Sequence, residues 1–173
     1  MTQRQNTHQV CVGNTKIGGG ARVTVQSMTN TRTADIQATS KQIASLCDAG
    51  CEIVRVAVKD IDDAMAIAEL KKRTELPIVA DIHFDYRLAI AALEAGVDKL
   101  RINPANVGTD HKVKEPCPRA KERRVPIRLG INSCRMEKEL LIKHSGPCAQ
   151  AMVESALNNA AMLEKFGFYD IVI

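Results

Sequence analysis

Two ionisable side chains, Asp81 and His83, lie at the downstream end of a stretch that otherwise reads as a buried β-strand. The stretch is Val79-Ala-Asp-Ile-His-Phe84. Because side chains alternate between the two faces of a strand, Asp81 and His83 share the face of Val79. A parallel strand that is buried on both faces is expected to be nearly all apolar. The two ionisable groups therefore indicate a functional site where this strand ends.

Four further predicted strands carry polar side chains on one face, towards their C-terminal ends. These side chains are Gln26, Arg55, Arg101, Asn103, Arg128 and Asn132. In a barrel of parallel strands, and equally in an open α/β sheet, ligands bind at the carboxyl ends of the strands. The eight polar residues are therefore predicted to converge on one site.

Three arginines at one site predict a ligand with several negative charges. Guanidinium groups bind phosphate oxygens through paired hydrogen bonds, and each charge-assisted bond contributes about 1.5–3 kcal/mol. One carboxylate, Asp81, cannot neutralise three cations. The asparagines would bind hydroxyl or phosphate oxygens, and the loop Asn103-Pro-Ala-Asn-Val-Gly108 could offer backbone amides. The alternative is that Arg55, Asp81 and Arg101 form an internal ion network with a purely structural role.

Strands and helices alternate along the chain, which predicts a parallel sheet covered by helices. The segments 49–55 and 95–101 repeat one pattern, in which a helix ends at a glycine and a strand delivers an arginine. A complete (β/α)8 TIM barrel has eight strands and about 250 residues. The pattern here predicts about six βα units over residues 23–173, preceded by a segment with a β-hairpin over residues 1–22. A doubly wound open sheet is the alternative. Pro116 and Pro118 predict a shortened or distorted helix.

Composition argues against several classes of protein. The 173 residues are 45% hydrophobic and 25% charged, with a net charge of +4, which is ordinary for a globular domain. The basic residues form no clustered stripe, so we expect no nucleic-acid partner. No apolar run has the length of a membrane span, and the N-terminus lacks a signal-peptide pattern, so we expect no membrane association and a cytoplasmic location. The six cysteines contain no Cys-x-x-Cys pair, so no metal site is predicted.

Several consecutive motifs resemble the 4-hydroxy-3-methylbut-2-enyl diphosphate synthase family of the non-mevalonate isoprenoid pathway. The motifs follow one another in the same order from about Val10 to Ile173. They are Val25-Gln-Ser-Met-Thr-Asn-Thr31, Glu52-Ile-Val-Arg-Val-Ala-Val58, Val79-Ala-Asp-Ile-His-Phe-Asp-Tyr-Arg87, Leu100-Arg-Ile-Asn-Pro104 and Pro126-Ile-Arg-Leu-Gly-Ile-Asn132.

The resemblance implies an oxidoreductase whose (β/α)8 barrel binds 2-C-methyl-D-erythritol 2,4-cyclodiphosphate. Seven of the candidate residues match the family's pattern: Arg55, Asp81, His83, Arg101, Asn103, Arg128 and Asn132. The family opens the substrate's ring by two-electron reduction at a [4Fe-4S] cluster, which a separate C-terminal domain holds on cysteines and a glutamate. Flavodoxin or ferredoxin supplies the electrons. In the family's homodimer, the cluster domain of one subunit covers the barrel of the other.

The sequence also departs from the family's pattern. It ends at Ile173, so we expect that it lacks the iron-sulfur domain with its catalytic residues and is inactive alone. Ala105 replaces a usual glycine, Cys134-Arg135 replaces a usual Gly-Ser, and Pro116 and Pro118 interrupt a helix. Two other hypotheses therefore stay open: a truncated, non-catalytic partial barrel that binds phosphates, and a different phosphate-binding barrel enzyme such as a pterin-type transferase.

Overall fold

A six-stranded parallel sheet forms the centre of the computed structural model, which describes residues 6–83, 85–103, 114–134 and 136–173. A separate antiparallel hairpin, β1–β2, precedes the sheet, and the sheet strands follow one another in chain order from β3 to β8. The strands are β1 (Val10–Val12), β2 (Thr15–Ile17), β3 (Gln26–Met28), β4 (Ile53–Val58), β5 (Ile78–Ile82), β6 (Lys99–Ile102), β7 (Ile127–Leu129) and β8 (Ile171–Val172). This arrangement, six parallel strands joined by helices behind an N-terminal hairpin, confirms the predicted fold class of a partial TIM barrel.

Helices connect consecutive strands of the sheet, as parallel pairing requires. Within the described ranges they are α1 (Ile36–Asp48), α2 (Ile61–Lys71), α3 (Tyr86–Glu94), α4 (Cys117–Glu122), α5 (Lys138–Lys143) and α6 (Ala149–Lys165). The first three begin at an aspartate, Asp35, Asp60 or Asp85, whose carboxylate accepts a hydrogen bond from a backbone N–H of the first turn. Such caps satisfy amides that have no partner inside the helix.

The helix-facing side of the sheet forms the main hydrophobic core. Val54, Val56, Ile78, Ala80 and Leu100 belong to it and are fully buried. The helices meet these strands largely through alanine, leucine and isoleucine side chains, in keeping with an aromatic content of only 3%. Because neighbouring residues of a strand alternate between faces, the residues next to these core residues lie on the opposite face of the sheet.

The hairpin β1–β2 covers the upstream end of the opposite face, which we call the inner face of the sheet. Val12 of the hairpin packs with Ile53 and Val79, and all three side chains are fully buried, with Ile17 packed against them. The register explains the contact, since Ile53 and Val79 are the inner-face residues nearest the start of β4 and β5. The hairpin therefore closes the inner face at one end, and the polar residues occupy the other.

Two expectations about element boundaries need correction or qualification. The alternating pattern from Val23 predicts a longer first strand, whereas β3 begins only at Gln26, and Val23 and Val25 are exposed. The shortened helix is confirmed for its described part: α4 starts at Cys117, with Pro116 as its N-cap and Pro118 in its first turn, where a missing N–H costs nothing. Within the described ranges, no helix has both the length and the apolar character needed to cross a membrane.

The packing of the hairpin gives a stability prediction. Val12→Ala removes apolar contacts with Ile53 and Val79, so we expect the free energy of unfolding to fall by about 1–3 kcal/mol. Urea denaturation followed by circular dichroism measures the change. Cys11→Ala is the matched control, because Cys11 is the exposed neighbour on the same strand. Equal effects of the two substitutions would show that the hairpin does not stabilise the barrel.

Candidate anion-binding site

The strand register places most of the predicted site residues side by side on the inner face. Met28 of β3 lies across from Arg55 of β4. Asp81 of β5 pairs in register with Arg101 of β6, which in turn pairs with Arg128 of β7. The parity argument from the sequence thus identifies one continuous row of charged side chains across four strands.

Asp81 is the buried carboxylate of this row, with a relative exposure of 4%. Arg101 donates a hydrogen bond from Nη1 to Asp81 Oδ1 at 2.9 Å. On the other side, Arg55 Nε lies 3.7 Å from Asp81 Oδ2 and 3.2 Å from the Met28 sulfur. One carboxylate therefore holds two arginines in place, and a buried carboxylate needs such partners to remain charged.

Arg128 adds a third guanidinium group that Asp81 does not satisfy. Its Nε is buried and makes no hydrogen bond within the described part of the chain. Burial lowers the pKa of Arg128, the neighbouring Arg55 and Arg101 lower it further, and Asp81 opposes them. A buried donor without a partner is costly, on the order of 1–3 kcal/mol. An anion that reached this nitrogen would remove that cost.

Lys99 is a fourth cation on the inner face, and the sequence-based prediction missed it. Its side chain has a relative exposure of only 2%, and Nζ lies 3.4 Å from Gln26 Oε1. Parity could have identified Lys99, because it stands two residues before Arg101 on β6. The prediction considered only the downstream ends of the strands, whereas Lys99 lies one step upstream.

Gly130, just after β7, leaves the space that the Arg101 guanidinium occupies. A Cβ atom at Gly130 would lie 2.6 Å from Arg101 Cζ, and its three nearest atoms would all belong to that guanidinium. The glycine thus permits the position from which Arg101 contacts Asp81. No side chain larger than hydrogen fits there without moving Arg101.

The remaining predicted residues lie at the downstream rim. His83 Nδ1 is 3.1 Å from the carbonyl oxygen of Asp81, and Asn103 is buried at the end of β6. Asn132 does not join the buried row: it is exposed, and its Oδ1 accepts a hydrogen bond from the Cys134 backbone N–H at 2.9 Å. The predictions for Ala105, the loop 104–108 and Arg135 fall outside the described residues.

A second buried carboxylate, Asp63 at the start of α2, connects two loops of the rim. Its Oδ1 accepts from the Ala34 backbone N–H at 2.9 Å and its Oδ2 accepts from that of Lys59 at 3.1 Å. The first amide belongs to the loop after β3 and the second to the loop after β4. In the loop after β3, the Thr33 hydroxyl also donates to the carbonyl oxygen of Ala57 at 2.6 Å. These bonds hold the rim of the site against the ends of the strands.

The described residues do not fit an iron-sulfur cluster. No group of three or more His, Cys, Asp or Glu side chains among them is placed to hold a metal ion. The cysteines lie on separate elements, and Cys51 and Cys117 are buried. Burial raises the pKa of the Cys117 thiol to about 11, which disfavours the thiolate that a metal requires.

Known proteins of similar sequence share this barrel. Residues 7–173 match the family described as the GcpE TIM-barrel domain. The chain is 53% identical over 169 residues to a protein of Fusobacterium nucleatum subsp. nucleatum named 4-hydroxy-3-methylbut-2-en-1-yl diphosphate synthase (flavodoxin), covering 98% of this chain and 48% of that one. It is 51% identical over 173 residues to the protein of the same name from Bacillus mycoides, and the match covers 100% of this chain and 47% of that one. The chain thus spans about half the length of these curated relatives.

Solved structures of other proteins share the fold alone. Dihydropteroate synthase of Yersinia pestis superposes with a TM-score of 0.67 at 8% identity, over 94% of this chain and 60% of that one. A truncated 3-deoxy-D-arabino-heptulosonate 7-phosphate synthase from Thermotoga maritima superposes with a TM-score of 0.64 at 15% identity, over 95% of this chain and 55% of that one. At such identities the likeness concerns architecture and not reaction. The match over nearly the whole sequence establishes that the chain belongs to the GcpE TIM-barrel family.

Proposed function

We propose that the inner face of this barrel binds the cyclic diphosphate group of 2-C-methyl-D-erythritol 2,4-cyclodiphosphate. The observation that carries the proposal is the imbalance of charge on a largely buried face. Among the described residues, Lys99, Arg55, Arg101 and Arg128 share this face with a single carboxylate, Asp81. A doubly charged anion would offset most of the excess, and the names of the relatives support a diphosphate as its source.

Each charged residue has a distinct part in this proposal. Asp81 holds Arg101 and Arg55 in place before the ligand arrives, so that little side-chain ordering is left for the binding step. Arg128 Nε, which makes no hydrogen bond to the described residues, would donate to a phosphate oxygen. His83, Asn103 and Asn132 lie nearer the rim, where the sugar-derived hydroxyl groups of the substrate would meet them, and Gln26 orients Lys99 from the opposite side.

In the complete reaction, the barrel would present the substrate for reductive ring opening to 4-hydroxy-3-methylbut-2-enyl diphosphate. The electrons would come from a [4Fe-4S] cluster on a C-terminal domain, and flavodoxin, which appears in the relatives' names, would supply them. Within this proposal, residues 23–173 bind and orient the substrate, and the catalytic residues lie in the cluster domain of a homodimer.

Removing one guanidinium tests the site directly. We expect Arg101→Gln to weaken binding of the cyclodiphosphate roughly 10- to 150-fold, because it removes a charge-assisted contact of about 1.5–3 kcal/mol. Isothermal titration calorimetry on the purified protein measures the dissociation constant. Arg119→Gln is the matched control, since Arg119 is exposed on α4 and pairs with Glu94. Unchanged affinity in Arg101→Gln would contradict the proposed site.

Gly130→Ala tests whether the position of Arg101 matters. The added methyl group forces the guanidinium away from Asp81, so we expect binding to weaken by about tenfold or more while the fold is retained. In an Arg101→Ala background the same substitution should cost almost nothing, because the clashing guanidinium atoms are gone. Equal losses of affinity in both backgrounds, read by the same calorimetry, would show that Gly130 acts through something other than Arg101.

A further inference from the structure

Lys99 is almost completely buried among groups that disfavour its charge. It stands on β6 directly across from Val79, which belongs to the apolar cluster closed by the hairpin residue Val12. The Lys99 side chain makes one hydrogen bond within the described residues. It runs from Nζ to Gln26 Oε1, and its length of 3.4 Å exceeds the usual range for such bonds. No carboxylate of the described residues lies within ion-pair distance of its Nζ.

The charges that face Lys99 come from three neighbouring strands and from its own. Arg55 on β4, Arg101 on β6 and Arg128 on β7 are positive, and Asp81 on β5 is occupied by two of them. The hairpin residue Val12 packs against Val79, the residue across from Lys99, and β3 contributes the neutral Gln26. Burial, then Arg128, then Arg55 lower the pKa of Lys99 to about 8.

A lysine that served packing alone would bring a desolvation cost that a methionine of similar size avoids. The arrangement instead suits an ammonium group whose partner is absent until a ligand arrives. From this geometry we propose that Lys99 is a further substrate-binding residue, which forms the floor of the anion site and takes up a proton together with the anion. The inference rests on the proposed function, since the same cyclic diphosphate is its ligand.

The direction of the proton movement follows from linkage. With a pKa of about 8, half of the Lys99 side chains are neutral in the free protein at pH 8. A bound anion favours the ammonium form and raises that pKa, so binding above neutral pH draws protons from the buffer. The two phosphates of a cyclic diphosphate each keep one strongly acidic hydroxyl, so the ligand itself does not titrate in this range.

Calorimetry in two buffers of different ionisation enthalpy counts the protons. For the cyclodiphosphate binding to the wild-type protein at pH 8.5, we expect an uptake of roughly 0.7 proton. Lys99→Met should abolish the uptake and weaken binding about tenfold or more. Lys72→Met is the matched control, because Lys72 is exposed on the outer side of the barrel. It should leave both quantities unchanged.

The possible outcomes separate the two proposals. Binding without proton uptake, with the same affinity in Lys99→Met, overturns the role of Lys99 and leaves the anion site intact. No binding to the wild-type protein overturns the site and the role of Lys99 together. Uptake that persists in both Lys99→Met and Lys99→Gln assigns the proton to another group and also overturns the inference.

Unfolding experiments without ligand test whether Lys99 titrates at all. The folded protein loses the Lys99 proton near pH 8, whereas the unfolded chain keeps it to about pH 10.4. The destabilisation by the charged Lys99 is therefore complete below pH 8 and disappears as the pH rises to about 10.4. The urea midpoint of the wild type, relative to that of Lys99→Met, should rise over this window. A constant difference between the two midpoints contradicts the proposal.

Discussion

Repulsion among the buried and half-buried cations of the inner face is the constraint on which the rest of the site depends. Charges a few ångströms apart inside a protein repel strongly, because little water is present to screen them. Asp81 offsets part of this repulsion by contacting Arg55 and Arg101. The remainder falls on Arg128 and Lys99, and burial together with the neighbouring arginines lowers the pKa of both. A fold that tolerates this cost is expected to use it for binding.

Hydrophobic packing elsewhere in the fold offsets the free-energy cost of burying these charges. On the helix-facing side, the sheet buries a continuous layer of aliphatic residues. On the inner face, the hairpin residue Val12 seals the upstream end against Ile53 and Val79. The charged residues therefore lie between this apolar cluster and the rim loops. Asp63 joins two of these loops by accepting hydrogen bonds from two backbone amides. Preorganisation of this kind lowers the cost of ordering side chains on binding.

Much of this arrangement follows from local patterns in the sequence. Alternation along a strand places Gln26, Arg55, Asp81, Arg101 and Arg128 on one face, and the structure brings these residues together. The aspartates that begin α1, α2 and α3, and the glycines that follow α1, α3 and α6, fix those helix ends through caps that depend only on neighbouring residues.

Other features depend on contacts that a sequence pattern does not contain. The docking of the hairpin onto Ile53 and Val79 joins segments far apart in the chain, and turn residues alone do not specify it. The alternation from Val23 predicts strand, but pairing with β4 begins only at Gln26. Asn132 has the expected parity, yet a local turn occupies its side chain. Parity places Lys99 on the inner face, but its nearly complete burial depends on the neighbouring strands.

A crystal structure of the protein with the cyclodiphosphate bound would test the central claim most directly. The account predicts phosphate oxygens on the inner face, within hydrogen-bond distance of the guanidinium groups of Arg101 and Arg128, with Arg101 still paired to Asp81. A ligand bound elsewhere, or an inner face unchanged at saturating ligand, would contradict the account and leave the charged row as an internal ion network.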